Sequence, residues 1–492
     1  MQKKENYHWI RYLVALTLVL LFTTSFALAA EVFDSEAAEE EGYWYSRYNM
    51  GTLAMISGLG EVFMPDMDMM MMAMRMADAD FDPMQKSTDY GDGNHPMAPV
   101  NPSLLQVVYK SGSPYYTQPF DVNDFATQRW DPTTFDRALT GLATGHLMIK
   151  EVEWARGFHV DEHFGVVSDD FGAQWRFIGS VLVLECKMQA MYFLKNRSQF
   201  DLSDGGDYVM LWALSDLGNV LESDKLLYSE SNRYKDPQAS KMFLDAADMM
   251  FGEIKDKNAS SIMEKSLAIQ SFVWYAASTN DVVGKAQAIV RIVRIAEELK
   301  DMKPMSAAER AYAIRGLIET KRTLGLQINE IAELAGQLFN EFDPSKGIFE
   351  SQTTYTTDDV AIIVGALNAV RIFESASVDS QRAEEIFTIF FETILNKAGM
   401  QQSAPPIPVS KDKFEYEGEP EIFFRYPDMP FPPMAGGDYG IAPVFASSVT
   451  YRDGKWKIDR TFDSAGAMHA SNEMIWLHHD EVDGFPEIFE YK

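Results

Sequence analysis

The chain has 492 residues, 46% of them hydrophobic, and a formal net charge of −30 from 73 acidic and 43 basic side chains. That apolar content excludes wholesale disorder, and the length allows one large domain or several ordinary ones. The charge excludes nucleic acid as a partner, because a phosphate backbone needs clustered lysine and arginine; it suits solubility or cation binding.

Met1 to about Ala29 reads as a secretory signal. Lys3, Lys4 and Arg11 form the basic start, Tyr12 to Phe26 the apolar core, and Ala27-Leu28-Ala29 a small-x-small cleavage site. The expectation is an extracytoplasmic protein (periplasmic, cell-surface or secreted) with no stable membrane span once the leader is removed. An uncleaved anchor is the alternative. Cys186 is the sole cysteine, so no intrachain disulfide can form. It lies in an apolar helical run and reads as a small buried residue.

Residues 30–130 read as an acidic, Met-rich and loop-rich N-terminal region. Glu31 to Gly42 is acidic and predicts a disordered lead-in. The following stretch is dense in methionine: Met64, Met67, Met69, Met70, Met71, Met72, Met74 and Met76. Thioethers outside the cytoplasm suit Cu(I); flexible apolar packing is the commoner use. Asp80 to Arg129 has little periodicity and is long enough to wrap a surface or cover a site.

Residues 131–400 read as a helical body. Asp131-Pro132 is a cap followed by proline and predicts a helix to about Arg156. Further helices are predicted over 169–194, 207–221, 236–254, 261–277, 281–299, 306–324, 329–342, 357–373 and 381–397. Ser261 with Glu264, and Ser306 with Glu309, are capping boxes; Thr356 with Asp359 has the same spacing. From about residue 236 to 397, charge-rich helices alternate with helices apolar on most faces. Two concentric layers of antiparallel helices require that alternation. Residues 401–492 carry a proline-rich stretch, a hairpin of Val449–Tyr451 and Trp456–Ile458 around Asp453-Gly454, and a closing helix over 463–477. That makes eleven helices; a twelfth would complete six hairpins.

The run Phe342-Asp343-Pro344-Ser345-Lys346-Gly347-Ile348-Phe349, then Thr356-Thr357-Asp358-Asp359 opening an apolar helix, resembles the α/α-toroid (α/α-barrel) superfamily. The resemblance is architectural, covers about residues 131–477 and includes no family-specific catalytic motif. It implies a mainly α fold of antiparallel helical hairpins in a toroid-like arrangement, with a small β-containing C-terminal elaboration. Many exported members of that superfamily act on polysaccharides as hydrolases or lyases at one end of the ring. Others are epimerases or have no known activity.

Glycosidic hydrolysis needs two carboxylates, and Asp358, Asp359 and Glu473 are the candidates, with Asp169, Asp170, Asp204 and Asp207 also near helix starts. Capping accounts for first-turn acids equally well. Tyr355, Tyr439 and Trp476 are candidate sugar-stacking residues, although aromatics more often pack. His159 and His163, four apart, join His469, His478, Met69 and Met72 as candidate ligands of a copper-type metal site. His146 reads as isolated. Gly-rich acidic turns at 201–207 and 89–94 offer oxygens for a calcium ion but match no EF-hand. There is no P-loop, dinucleotide fingerprint, haem-attachment motif or Gly-x-Ser-x-Gly elbow. The favoured reading is an exported acidic toroid binding a polar ligand, a carbohydrate, at the ring mouth, with hydrolase or lyase chemistry open. The alternatives are an extracytoplasmic metal-binding protein and a non-catalytic cell-envelope scaffold.

Overall fold

A computed structural model describes residues 33–64, 104–118, 128–158, 169–226, 231–403, 407–409, 421–423 and 440–475, with a few single positions besides. The expected signal sequence lies outside the described residues. Every described helix and strand belongs to one compact unit, Ser35–Lys492, distinct from Met1–Asp34.

Twelve α-helices are present among the described residues. They are α1 Ser35–Gly51, α2 Gly141–Glu153, α3 Asp169–Asn196, α4 Gly206–Glu222, α5 Pro237–Ile254 and α6 Ile262–Ser278. Then come α7 Val282–Lys300, α8 Ala307–Leu324, α9 Glu330–Asn340, α10 Thr357–Phe373, α11 Ser380–Phe391 and α12 Ser464–Ile475. The capping chemistry sets several starts. Ser261 and Thr356 each form a complete capping box, and the Ser306 hydroxyl accepts from Glu309 N at 3.1 Å.

Burial differs sharply between helices. In α6 and α12 almost every residue is buried, and α10 buries Val360, Ile362, Ile363 and Leu367 completely. Each such side chain contributes about 1.5–3 kcal/mol by leaving water. By contrast α7 buries only a stripe, Gly284, Ala288, Ile292, Ile295, Ala296 and Leu299. The even-numbered helices pack in sequence, α2 on α4, α4 on α6, α6 on α8, α8 on α10 and α10 on α12, and α12 returns to α2. Each odd-numbered helix covers an even one: α3 on α2, α5 on α4, α7 on α6, α9 on α8, α11 on α10 and α1 on α12. The last helix thus takes its outer partner from the other end of the unit.

Small antiparallel sheets decorate this body. The strands are β1 Gly60–Phe63, β2 Leu104–Gly112, β3 Asp136–Leu139, β4 Phe342–Asp343, β5 Ile348–Phe349, β6 Thr354–Thr356, β7 Ile407–Val409, β8 Glu421–Phe423, β9 Ser448–Arg452, β10 Lys455–Asp459 and β11 Phe462–Asp463. Strands β9 and β10 form the expected hairpin. Asp453 and Gly454 both take positive φ (53° and 75°), as a two-residue type I′ turn demands. β6 pairs with β9, and Thr357 N donates to Ser447 O at 3.0 Å, so the C-terminal segment abuts the start of α10. β11 pairs with β2 immediately before α12.

Two expectations are corrected. The predicted lead-in is helix α1, whose acids have partners: Glu39 pairs with Arg371, and Glu41 accepts from Asn396 Nδ2 at 2.7 Å. Its own Tyr43, Trp44 and Tyr45 are buried, and α1 is the twelfth helix. Asp131-Pro132 opens only a 3-10 turn, Pro132–Thr134; Thr140 caps the helix, accepting from Ala143 N at 3.1 Å. The turn cannot continue as helix because Asp136–Leu139 pair with β2.

Candidate functional site

The N-terminal turns of α2, α6, α8, α10 and α12 line a cavity of about 130 Å³. Its polar lining is His146 from α2, Tyr312 from α8, Asp358 from α10 and Asp463 at the head of α12; Leu142, Met263 and Leu267 supply the apolar wall. A register underlies this convergence. His146, Leu267 and Tyr312 are each the sixth residue of their helix, counting from Gly141, Ile262 and Ala307. His469 is the sixth of α12.

Behind the cavity wall the polar groups form a chain. His469 Nδ1 lies 2.7 Å from Asp358 Oδ1, and Tyr312 Oη donates to Asp358 Oδ2 at 2.6 Å. His469 Nε2 faces Glu473 Oε1 at 3.8 Å. Arg315 donates to Glu473 at 3.3 Å and to Glu319 at 2.9 Å. The His146 ring stacks on His469 with centroids 4.8 Å apart and planes at 14°. Asn472 Nδ2 lies 3.2 Å from His146 O and 3.5 Å from its Nδ1. Gly365 makes room for this chain: a Cβ there would overlap Glu473 Oε2.

Burial disfavours charge on His469, but the carboxylates of Asp358 and Glu473 outweigh it and push its pKa up to about 9. It is an imidazolium at neutral pH. Burial, then the charge of His469, push His146 well below the ordinary histidine range, so it is neutral. The Asn472 amide nitrogen directed at Nδ1 favours the tautomer with the His146 proton on Nε2. Burial works against ionisation of Asp358 and Glu473 as well, yet His469 and Tyr312 hold the first below its usual value, and Arg315 and His469 the second. Asp463 is raised by burial and by Asp358, against the N–H of Gly466 that donates to it at 3.0 Å.

Of the candidate carboxylates, Asp358 lines the cavity. Glu473 is 5% exposed and held by Arg315, and does not line the cavity. Asp359 is occupied by its capping box, accepting from Thr356 N at 2.8 Å. Tyr355 is corrected: it is fully buried, its hydroxyl donates to Gln352 O and accepts from Phe349 N, and its ring meets Phe390 edge-on. No face remains for a sugar. Asp207 pairs with Lys257 at 2.9 Å, and Asp201 accepts from Ser203 N, so the 201–207 turn is held by the protein itself. His469 is engaged by two carboxylates, and an imidazolium has no lone pair for a metal. Met69 donates its backbone N–H to Asp66. Tyr439, Trp476, His159, His163, His478 and Met72 lie outside the described residues.

Sequence reasoning passed over His146, Tyr312, Arg315 and Asp463. The shared sixth position was the available signal, but it appears only once the true helix starts are known. Among the described residues no group of three or more His, Cys, Asp or Glu could hold a metal ion, and no helix is long and apolar enough to cross a membrane. The chain matches no protein-family model, no curated protein and no solved structure.

Proposed function

We propose that the twelve helices form an α/α-toroid of six hairpins, and that the cavity at the first turns of its inner helices binds a hydroxyl-bearing ligand, a carbohydrate. One observation carries this reading. Asp358, a carboxylate fixed by His469 and Tyr312, and His146, a neutral imidazole, face the same cavity. A sugar hydroxyl both donates and accepts, so it is complementary to a carboxylate beside an imidazole N–H. Leu142, Met263 and Leu267 give its C–H face an apolar wall.

The volume is below the roughly 300 Å³ at which drug-sized sites begin, which suits a single sugar unit at a chain end. Binding fits the electrostatics better than acid catalysis by Asp358 and Glu473, because both stay ionised. The leader-like residues 1–29 support placing this binding outside the cytoplasm. A glycan array followed by calorimetry on Leu142→Phe tests the reading. Leu142 is half-buried at the cavity wall, so a larger ring there fills the cavity without touching the ion chain. Loss of at least about tenfold in affinity is expected, since a blocked pocket forfeits its polar contacts. A panel with no binder, or a binder indifferent to the substitution, would overturn it.

A further inference from the structure

The charge around the cavity says more about the ligand, given the reading of that cavity as a carbohydrate site. Among the described residues no lysine or arginine lines it. His469 is engaged between Asp358 and Glu473, and Arg315 between Glu473 and Glu319, so neither cation is free to meet a ligand anion. Lys110, which tempers the charge of Asp463, is an exposed residue of β2 and does not line the cavity. Two carboxylates, Asp358 and Asp463, do line it. The Asp358 side chain keeps 36% of its surface open, and Asp463 Oδ1 has no partner among the described residues.

His146 supplies an independent observation. It is 2% exposed and lines the cavity, and its Nε2 has no partner among the described residues. A ring nitrogen without a protein partner, on a residue at the cavity wall, is available to a ligand atom.

We propose that the ligand carries a protonated amino group beside a hydroxyl, as a hexosamine does, with the ammonium between Asp358 and Asp463 and the hydroxyl oxygen at His146 Nε2–H. An ammonium relieves the repulsion between the two carboxylates and meets their acceptor oxygens with its three donors. A uronate would be repelled. A metal ion would need its ligands to converge on one point, and among the described residues no such group exists. A neutral sugar would leave the carboxylate repulsion in place.

The test is calorimetry at neutral pH with matched oligosaccharides of glucosamine, N-acetylglucosamine, glucose and glucuronate, and separately with calcium chloride. The amine form should bind at least about tenfold tighter than its N-acetyl form, the worth of one charge-assisted hydrogen bond. Asp463→Asn should remove the preference for the amine over its N-acetyl form. The acetylated ligand gives the same readout without any protein variant, should Asp463→Asn fail to fold. Equal or tighter binding of the N-acetyl form or the uronate overturns the inference, as does stoichiometric displacement of the amine by calcium. A neutral sugar bound with no gain from the amine overturns this inference alone. No binding by any sugar overturns the carbohydrate reading with it.

Discussion

Replacing Asp358 by Asn removes the main partner that keeps His469 charged. In the folded protein His469 is pushed from 6.5 up to about 9, through Asp358 on α10 and Glu473 on α12 and against burial. His146 on α2 and Tyr312 on α8 stack beside it, and Arg315 on α8 meets the same Glu473. A rise of that size corresponds to about 3 kcal/mol of stability. Because the folded value is the higher one, the contribution is complete below pH 6.5 and is lost as pH climbs through about 9. Asp358 and Glu473 are ionised throughout this window and add no slope. Urea denaturation of both proteins from about pH 6 to about pH 9.5 reads the effect. Wild type should be more stable than Asp358→Asn at the acid end, with the gap narrowing as pH rises. Lys150, whose pKa burial lowers, titrates alike in both and cancels in the difference. A gap that is constant or widens with pH would refute the assignment of charge to His469.

Three further outcomes are expected. Gly365→Ala should destabilise by about 2–4 kcal/mol in a thermal melt, because Glu473 is pinned by Arg315 and His469 and cannot yield to a new Cβ. Tyr45→Phe should cost about 1–3 kcal/mol, since its hydroxyl donates to Asn396 Oδ1 at 2.6 Å in a buried setting; no cost would return α1 to a loose lead-in. Gly454→Val should cost about 1 kcal/mol, because the turn needs positive φ there; an unchanged melting temperature would contradict the type I′ turn.

Helix positions were legible wherever capping and periodicity agreed, as at Ser261, Ser306 and Thr356. The alternation of apolar and charged helices pointed to two layers because burial of one face or of all faces leaves different residue patterns. Helix α1 was hidden by its acids. Glu39 and Glu41 look like a solvated run until Arg371 and Asn396, over 300 residues away in sequence, are known to meet them. Asp131-Pro132 is a genuine cap, but strand pairing with β2 overrides the helix it announces. Around the cavity, the sequence drew attention to Asp358 as a first-turn acid and to His469 as a candidate metal ligand, whereas the structure pairs the two with each other. His146 escaped because a lone histidine on an apolar helix carries no local mark. Its role comes from stacking on a residue 323 positions later, a relation that only the closing contact of α12 with α2 creates. Tyr355 shows the converse: an aromatic at a helix mouth that packing fully consumes.

The most direct measurement is nitrogen-detected NMR of the histidine side chains at neutral pH, followed through a titration with the best-binding glycan. His469 should be protonated on both nitrogens. His146 should be neutral, with its proton on Nε2 and its resonances moving in step with ligand occupancy. A His146 signal unmoved at saturating ligand would contradict the assignment of this cavity as the binding site.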